Sequence, residues 1–267
     1  MLKSLKYVLH ENITNIYRIY TISKYEIRAD IKDSKLGIFW NFAAPLIQVL
    51  TYWFVFGIVL DRPSMQGVPY IYWMLAGMVV WFYISPSITN GTKAIHAKMN
   101  IISKMQFPVS ILPATVVLKE LFNHLCLLTI VIPLIIFGGF LPSIHWLGLL
   151  YYMFCGFIFS LAISMVLSVL NMLARDTRKL ILASMRLLLY LTPILWSLQD
   201  LPKQLVGLMS LNPIHYVVQG YRDCFFFQEG ILFYSNEMLI FWSITLILLT
   251  IGCYLMYKFK YKFIDLM

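Results

Sequence analysis

Charge is scarce in this chain. Only 12% of its 267 residues are Asp, Glu, Lys or Arg, whereas 60% are hydrophobic and the mean hydropathy is +0.77. About a quarter of the residues in a typical soluble domain are charged, so the composition excludes a water-soluble globular protein. A lipid bilayer accepts apolar side chains on the outside of a helical bundle. We therefore predict an all-α integral membrane protein.

Signatures of catalysis, metal binding and nucleotide binding are also lacking. The five histidines follow neither HxxxH nor HExxH spacing, GxSxG is absent, and the chain has no Gly-Lys dipeptide and hence no P-loop. Three of the four cysteines lie in apolar runs, where a thiol packs as a small hydrophobe. We predict no catalytic residue, metal ion or cofactor in this chain, so any ATP hydrolysis must come from another chain.

Six apolar runs are long enough to span a membrane, which takes roughly 20 residues at about 1.5 Å each. They cover about residues 37–60, 70–92, 109–137, 146–173, 180–197 and 238–257. Residues 204–221 are also uncharged and nearly long enough for a seventh span, but an Asn-Pro pair interrupts them. We predict that this run is a half-inserted, re-entrant helical excursion on the outer side.

Positive charge sets the orientation. With six spans, 16 of the 21 Lys and Arg residues fall on one side, and only Arg62, Lys203 and Arg222 on the other. Cytoplasmic segments collect Lys and Arg, so both termini are predicted to be cytoplasmic, in the plasma (inner) membrane. A seventh span would carry the basic C-terminal KFKYK to the outside. The net charge of +9 therefore reports orientation, and we predict no nucleic-acid partner.

Two amphipathic segments are predicted on the cytoplasmic side. Within residues 1–36, apolar residues recur every three or four positions and basic residues lie off that stripe, which indicates a helix in the membrane interface followed by a linker. Between spans two and three, a short helix over 94–106 has Ile95, Met99 and Ile102 on one face. Residues 37–267 form the predicted transmembrane domain.

Few ionisable groups lie at membrane depth. Lys119-Glu120 falls within the third span and Arg186 within the fifth, and we expect the cations to reach the interface and to neutralise Glu120. Aromatic residues collect near the outer ends of the spans. They form either an interface belt or a path in which rings stack on sugar faces, for which the candidates are Trp73, Phe82, Tyr83, Trp196, Tyr216 and Tyr221.

Four blocks of sequence together resemble the membrane subunit of type-2 ABC exporters for cell-surface polysaccharides. They are YEIRADIKDSKLGIFWNFAAPLIQVLTYWFVFG (25–57), GVPYIYWMLAGMVVWFYISPSI (67–88), NIISKMQFPVSILP (100–113) and YLTPILWSLQDLPKQLVGLMSLNPIHYVVQGYRD (190–223). The resemblance covers practically the whole chain. Within the family, the chain looks most similar to the permease of the wall teichoic acid exporter rather than to the O-antigen permeases.

The resemblance implies an ABC-2 fold and an assembly. Two copies of this chain would form a homodimer, pair with two copies of an ATP-binding subunit that holds ATP and Mg²⁺, and enclose a conduit for an undecaprenyl-diphosphate-linked anionic polymer. Residues 94–106 would be a coupling helix that docks into the ATPase. The residues implied in coupling are Ile95, Lys98, Met99, Asn100 and Ile102 in that helix, and Arg175, Asp176 and Arg178 at the inner end of span four.

The resemblance also implies an outer gate. Residues of about 201–221 would form gate helices that break at Asn212-Pro213, and Tyr221-Arg222 would occupy the family's YR position. Two interpretations of Arg222 stay open. Its guanidinium could hold a phosphate through charge-assisted hydrogen bonds, or it could be an exposed loop arginine paired with Asp223.

The leading hypothesis is the permease of a wall teichoic acid exporter. Alternatives with the same fold are a permease for O-antigen or capsule, and a drug exporter. A membrane-embedded transferase acting on a polyprenyl carrier would need an ionisable residue at membrane depth, for which Glu120 is the candidate. A passive channel would transport without any ATPase.

Overall fold

The computed structural model describes residues 1–32, 36–99, 107–202, 206–207, 209, 211–228 and 235–260. Within these ranges the regular structure is helical, apart from one isolated bridge between Met65 and Val68. The α-helices of the described residues are α1 Leu2–Thr14, α2 Ile16–Lys32, α3 Trp40–Tyr52, α4 Tyr70–Thr92, α5 Ala94–Ala97, α6 Leu112–Phe137, α7 Gly148–Leu173, α8 Thr177–Leu191, α9 Pro213–Arg222 and α10 Ser235–Phe259. The predicted all-α class is confirmed.

Five of the described helical segments are long and apolar enough to cross a membrane. They are Trp40–Val59, Tyr70–Thr92, Val109–Phe137, Ile144–Leu173 and Asn236–Phe259. The first of them continues α3 through a π-helical turn, Trp53–Val59. These segments agree with five of the six predicted runs, and the chain is an integral membrane protein.

The fifth predicted run, 180–197, has different bounds in the structure. Helix α8 starts earlier and ends at Leu191, after 15 residues, which is about 22 Å at 1.5 Å per residue against a hydrocarbon core of about 30 Å. It ends there because Thr192 precedes a proline, which disfavours helical backbone, and Thr192 is extended with ψ of 137°. The count of six spans stays a prediction.

Helix α4 lies at the centre of the bundle. In the most apolar stretch of α4, 72% of the residues are buried within the chain, whereas the corresponding share is 11% in the segment that contains α3. Helices α6, α7, α8 and α9 all pack on α4, and α10 packs along α7. The apolar outer face of α3 is therefore available to lipid or to another protein.

Small residues bring α4 and α7 together. A Cβ atom at Gly91 would collide with the side chain of Ser164, and the Ser164 hydroxyl donates a hydrogen bond to the Ser87 carbonyl at 3.1 Å. Glycine and serine at such crossings let membrane helices approach closely enough for backbone and side-chain hydrogen bonds. This contact fixes the end of α4 that leads into α5.

The N-terminal amphipathic segment forms two helices rather than one. They break at Asn15, whose side-chain amide donates to the Glu11 carbonyl at 2.8 Å. Val8 and Ile19 are buried against the bundle. Four apolar residues of the amphipathic stripe face outward and are available to a membrane interface, namely Leu9, Ile13, Ile16 and Tyr20.

The two ends of the bundle differ in what they carry. The basic end, as we call it, holds α1, α2, α5 and the turn between α7 and α8, and there Tyr7 of α1 stacks edge-on against Tyr257 of α10 at 5.3 Å. The opposite end holds the loops at 60–69 and 138–147. Its ring contacts include Tyr72 with Phe140, 5.7 Å apart. The assignment of the basic end to the cytoplasm stays a prediction.

Candidate functional site

Residues 192–197, which we name the break segment, follow α8 at the opposite end and form turns rather than a helix. Non-helical backbone at membrane depth needs partners from the protein. Three consecutive carbonyl groups of the break segment accept hydrogen bonds from side chains on other helices, namely Pro193 from Arg222 Nη1 at 2.7 Å, Ile194 from Arg222 Nη2 at 2.8 Å and Leu195 from Tyr70 Oη at 3.1 Å. Side chains of α4 and α9 therefore hold the break segment in place.

Arg222 is fully buried, with 0% of its surface exposed. Its guanidinium carbon lies 3.9 Å from the centre of the Trp73 ring, and its Nε donates to the Trp73 carbonyl at 3.4 Å. Gly77 makes room for it, since a Cβ there would lie 2.9 Å from Nη2. The interpretation of Arg222 as an exposed loop arginine is wrong, because α9 continues to Arg222 and turns this side chain into the core.

The Asn212-Pro213 pair starts α9. The Asn212 side-chain oxygen accepts a hydrogen bond from the Ile214 backbone amide at 3.0 Å, and Pro213 occupies the first helical turn, where a missing N–H costs nothing. The Asn212 amide donates to the Thr192 hydroxyl at 3.0 Å. One residue thus caps α9 and ties it to the break segment. Of the predicted gate helices at 201–221, residues 203–205, 208 and 210 lie outside the described residues.

Tyr221 connects α9 to the centre of the bundle. Its hydroxyl lies 2.8 Å from Nε2 of His124 on α6, and the His124 ring stacks on Tyr83 of α4 at 4.8 Å. All three side chains are buried.

Trp73 and Tyr216 are buried as well, so an interface belt does not describe these rings, whereas Phe82 and Trp196 are half-buried. The Trp196 indole nitrogen donates to the Tyr190 carbonyl at 2.8 Å.

Glu120 is buried, and none of the described cations pairs with it as the sequence suggests. Its carboxylate accepts hydrogen bonds from the side-chain amides of Asn90 at 2.9 Å and Asn123 at 3.0 Å. Lys119 instead forms an ion pair with Asp30 of α2. The expectation is wrong for Glu120 because adjacent helical residues point to different faces, so that Lys119 and Glu120 reach different partners.

The described part of the predicted coupling segment packs on α6 and α7 and also meets the two N-terminal helices. Ile95 is 0% exposed and Met99 8%, and both share an apolar cluster with Val8 of α1. Lys98 Nζ lies 2.7 Å from a carboxylate oxygen of Glu26 on α2. Ile95 and Met99 therefore contact this chain itself, while the surface of α5 is formed by the exposed residues His96 and Ala97. Asn100 and Ile102 lie outside the described residues.

The second predicted coupling contact is accessible. Arg175, Asp176 and Arg178 are exposed in and after the turn between α7 and α8, and Lys179 pairs with Asp176 at 3.0 Å. Both coupling elements lie at the basic end. In the described ranges, no three His, Cys, Asp or Glu side chains are arranged to hold a metal ion.

Sequence reasoning missed several of these side chains. Tyr70 and Gly77 gain their roles only from the position of the break segment, which no local pattern reveals. His124, by contrast, lies four residues after Glu120, which places the two on one helical face. That spacing was a signal of a polar face buried in the bundle.

Comparison with known proteins identifies the family. The sequence profile described as "ABC-2 type transporter" matches residues 17–226. Two O-antigen export system permease proteins RfbA from Klebsiella pneumoniae are 27% and 28% identical to the chain, over 93% of it and 94% of their own length. An RfbA of Myxococcus xanthus is 25% identical over 78% of this chain and 80% of its own. The chain belongs to the ABC-2 type transporter family.

Proposed function

We propose that the chain is the membrane-spanning permease subunit of an ATP-driven exporter of a lipid-linked cell-surface polysaccharide. The observation that carries the proposal is the family match over most of the chain, together with relatives that are named as O-antigen export permeases and align over nearly their full length. In this proposal, two copies pair with two ATP-binding subunits, which supply ATP and Mg²⁺. Both termini are cytoplasmic, so the basic end faces the ATPase.

The arrangement at the basic end supports docking of a motor. Exposed His96 and Ala97 on α5, and exposed Arg175 and Arg178 before and within α8, form two accessible contacts at one end of the bundle. Helix α5 adjoins α4, and α8 leads directly into the break segment. Movement of these docking elements as rigid units would therefore reach α4 and the break segment.

The proposal has a general part and a finer part, which differ in the polymer that they name. The general proposal is a lipid-linked polysaccharide. The finer proposal, wall teichoic acid, comes from the sequence resemblance, while the relatives are O-antigen permeases and favour a glycan without a polyol-phosphate backbone at least as well. The two differ in charge along the polymer, which makes them separable by experiment.

Reconstitution of the chain with its ATPase in proteoliposomes tests the proposal. ATP turnover and translocation are measured with an undecaprenyl-diphosphate-linked neutral glycan, with a lipid-linked polyol-phosphate polymer, and with small amphiphilic drugs. Stimulation by either polymer supports polysaccharide export, and the stronger response selects between the two. Stimulation by the amphiphiles alone would make the chain a drug exporter and contradict the proposal.

A further inference from the structure

Charge on the two N-terminal helices is separated by sign. Residues 1–32 contain three acidic side chains, and all three bind the rest of the chain, Glu11 through the Ser110 hydroxyl and the other two through the ion pairs with Lys98 and Lys119. The six basic side chains are all exposed, and none of them forms an ion pair within the described ranges. They are Lys3, Lys6, Arg18, Lys24, Arg28 and Lys32. The outward surface of α1 and α2 therefore carries uncompensated positive charge.

Around the helix axis, the apolar stripe and the buried side chains occupy adjacent sectors. Hydrogen bonds of helical spacing cross the break between the helices, from the amides of Asn15 and Ile19 to the carbonyls of Glu11 and Asn15 at 3.2 and 2.9 Å, so one face continues from α1 into α2. At about 100° per residue, Val8 and Ile19 lie roughly 100° to one side of the outward members of the stripe. The bundle thus lies beside the stripe rather than behind it.

A basic sector lies on the other side of the stripe, away from the bundle. Lys6, Lys24 and Arg28 fall there, about 60° beyond the stripe, and we name these three residues the lateral flank. Lys6 and Lys24 are about five helical turns apart and therefore point in the same direction. Arg18 lies about 170° from the stripe, so its side chain points away from a membrane on which the stripe rests.

This arrangement suits a helix pair that lies among the headgroups of an anionic bilayer. With the stripe at the acyl boundary, the lateral flank is level with the lipid phosphates, which Lys and Arg reach along their apolar stems. Tyr17, 77% exposed, lies between the stripe and the flank, where an amphipathic ring suits the interface. A zwitterionic headgroup brings a cation of its own, so an anionic phospholipid is the lipid that balances the flank. A soluble acidic protein would balance the charge without covering the stripe.

The bundle side of α2 is tied to the coupling segment. The Ser23 hydroxyl donates a hydrogen bond to the Thr115 carbonyl of α6 at 2.8 Å, and α2 packs along α6. One helical turn further, Glu26 reaches Lys98 Nζ at 2.7 Å, directly after α5. A lipid contact that sets the position of α2 therefore acts on the residue that follows the exposed surface of α5.

We propose that the lateral flank binds anionic phospholipid headgroups in the leaflet at the basic end, and that ATP turnover by the transporter depends on this contact. The dependence of ATP turnover rests on the proposed function, whereas the lipid site does not. Each Lys or Arg near an anionic surface strengthens the attraction roughly fivefold. The N-terminal helices then recognise the composition of the membrane in addition to anchoring in it.

Native mass spectrometry of the full chain, purified with its ATPase, measures lipid binding directly. The delipidated complex is titrated separately with phosphatidylglycerol, with phosphatidylcholine and with undecaprenyl diphosphate. We expect phosphatidylglycerol to bind more tightly than phosphatidylcholine. Equal affinities for these two phospholipids would overturn the inference, and binding of undecaprenyl diphosphate without phosphatidylglycerol would assign the flank to the carrier of the polymer instead.

Matched variants locate the site. Lys24→Gln should weaken phosphatidylglycerol binding about fivefold, whereas Arg18→Gln, which removes the same charge on the side away from the membrane, should bind as the parent does. The triple variant Lys6→Gln, Lys24→Gln, Arg28→Gln should bind the two phospholipids equally, while Lys6→Arg, Lys24→Arg, Arg28→Lys keeps the charge and the preference. Equal effects of Lys24→Gln and Arg18→Gln would refute the lateral flank as the site.

ATP turnover in nanodiscs tests the second half of the inference. Turnover by the parent complex should rise as phosphatidylglycerol replaces phosphatidylcholine, and the triple glutamine variant should lose this response. A response that the triple variant retains would overturn the dependence on the flank. Export of the polymer separates the two proposals. Export with no preference for phosphatidylglycerol refutes the lipid site alone, whereas a lipid preference that depends on the flank, without ATP-driven export, refutes the proposed function alone.

Discussion

Replacement of Arg222 by leucine removes both donors to the carbonyls of Pro193 and Ile194 while keeping an apolar stem of similar path. Each carbonyl left unpaired in the core costs roughly 1–3 kcal/mol, and loss of the contact with the Trp73 ring adds roughly 1–2 kcal/mol at a buried site. Relief of the desolvated charge offsets part of this sum. We expect Arg222→Leu to lower the free energy of unfolding by about 4 kcal/mol.

Thermal unfolding of the purified chain, followed by size-exclusion fluorescence, measures this loss. One kcal/mol shifts the melting temperature of a chain of this size by about 2–4 °C, so a decrease of about 10 °C is expected. Arg178→Leu is the control, because Arg178 is exposed and its loss should cost under about 0.5 kcal/mol. A shift for Arg222→Leu that is no larger than that of the control would refute the role of the guanidinium in holding the break segment.

Three further perturbations test other contacts. His124→Phe and Tyr221→Phe should each lower the free energy of unfolding by about 1–2 kcal/mol, and the double variant should lose clearly less than the sum in a denaturation cycle; additive losses would exclude the bond between them. Glu120→Gln keeps one acceptor oxygen, and a flip of the facing Asn90 or Asn123 amide gives the new NH2 group an acceptor, so the variant should retain export in vesicles, whereas loss of export with the fold intact would revive the transferase hypothesis. Lys98→Glu should lower polymer-stimulated ATP turnover, and addition of Glu26→Lys should restore it; no restoration would assign Lys98 to ATPase docking instead.

The membrane-spanning architecture was accessible from sequence because lipid imposes one strong rule. Long uncharged runs must be helices, and five of the predicted runs recur as helices within a few residues of their expected ends. The run at 180–197 and α8 have different bounds, because composition does not show where a helix stops inside an apolar stretch. The Thr-Pro pair at 192–193 does show the end of the helix, and this pair was more informative than hydropathy there.

The sequence indicated which residues belong to the site more successfully than it indicated what those residues contact. Tyr221 and Arg222 stood out in the sequence, but burial of the arginine under Trp73 depends on Gly77, which is distant in sequence and lies on another helix. Ile95 shows the same limit at the basic end. Its apolar face was recognised, while the helices that it packs with, mainly α6 and α7, could not be read from its own segment.

Acidic residues of the N-terminal helices form ion pairs that their sequence pattern does not show. In sequence, α1 and α2 show an amphipathic pattern, which is explained by an interface anchor. The structure adds that Glu26 and Asp30 of α2 pair with Lys98 of the predicted coupling segment and with Lys119 of α6. These ion pairs join segments that no local pattern connects, so only the folded chain reveals them.

The most direct test of the central claim is the movement of a lipid-linked polysaccharide across sealed proteoliposomes that contain this chain, with and without the ATP-binding subunit. A polymer-specific antibody or lectin added outside measures the amount that reaches the outer face. The account predicts translocation only when the ATPase and hydrolysable ATP are both present. Translocation by this chain alone would show a passive channel, and no translocation by the complete, ATP-hydrolysing complex would contradict the assignment as an exporter permease.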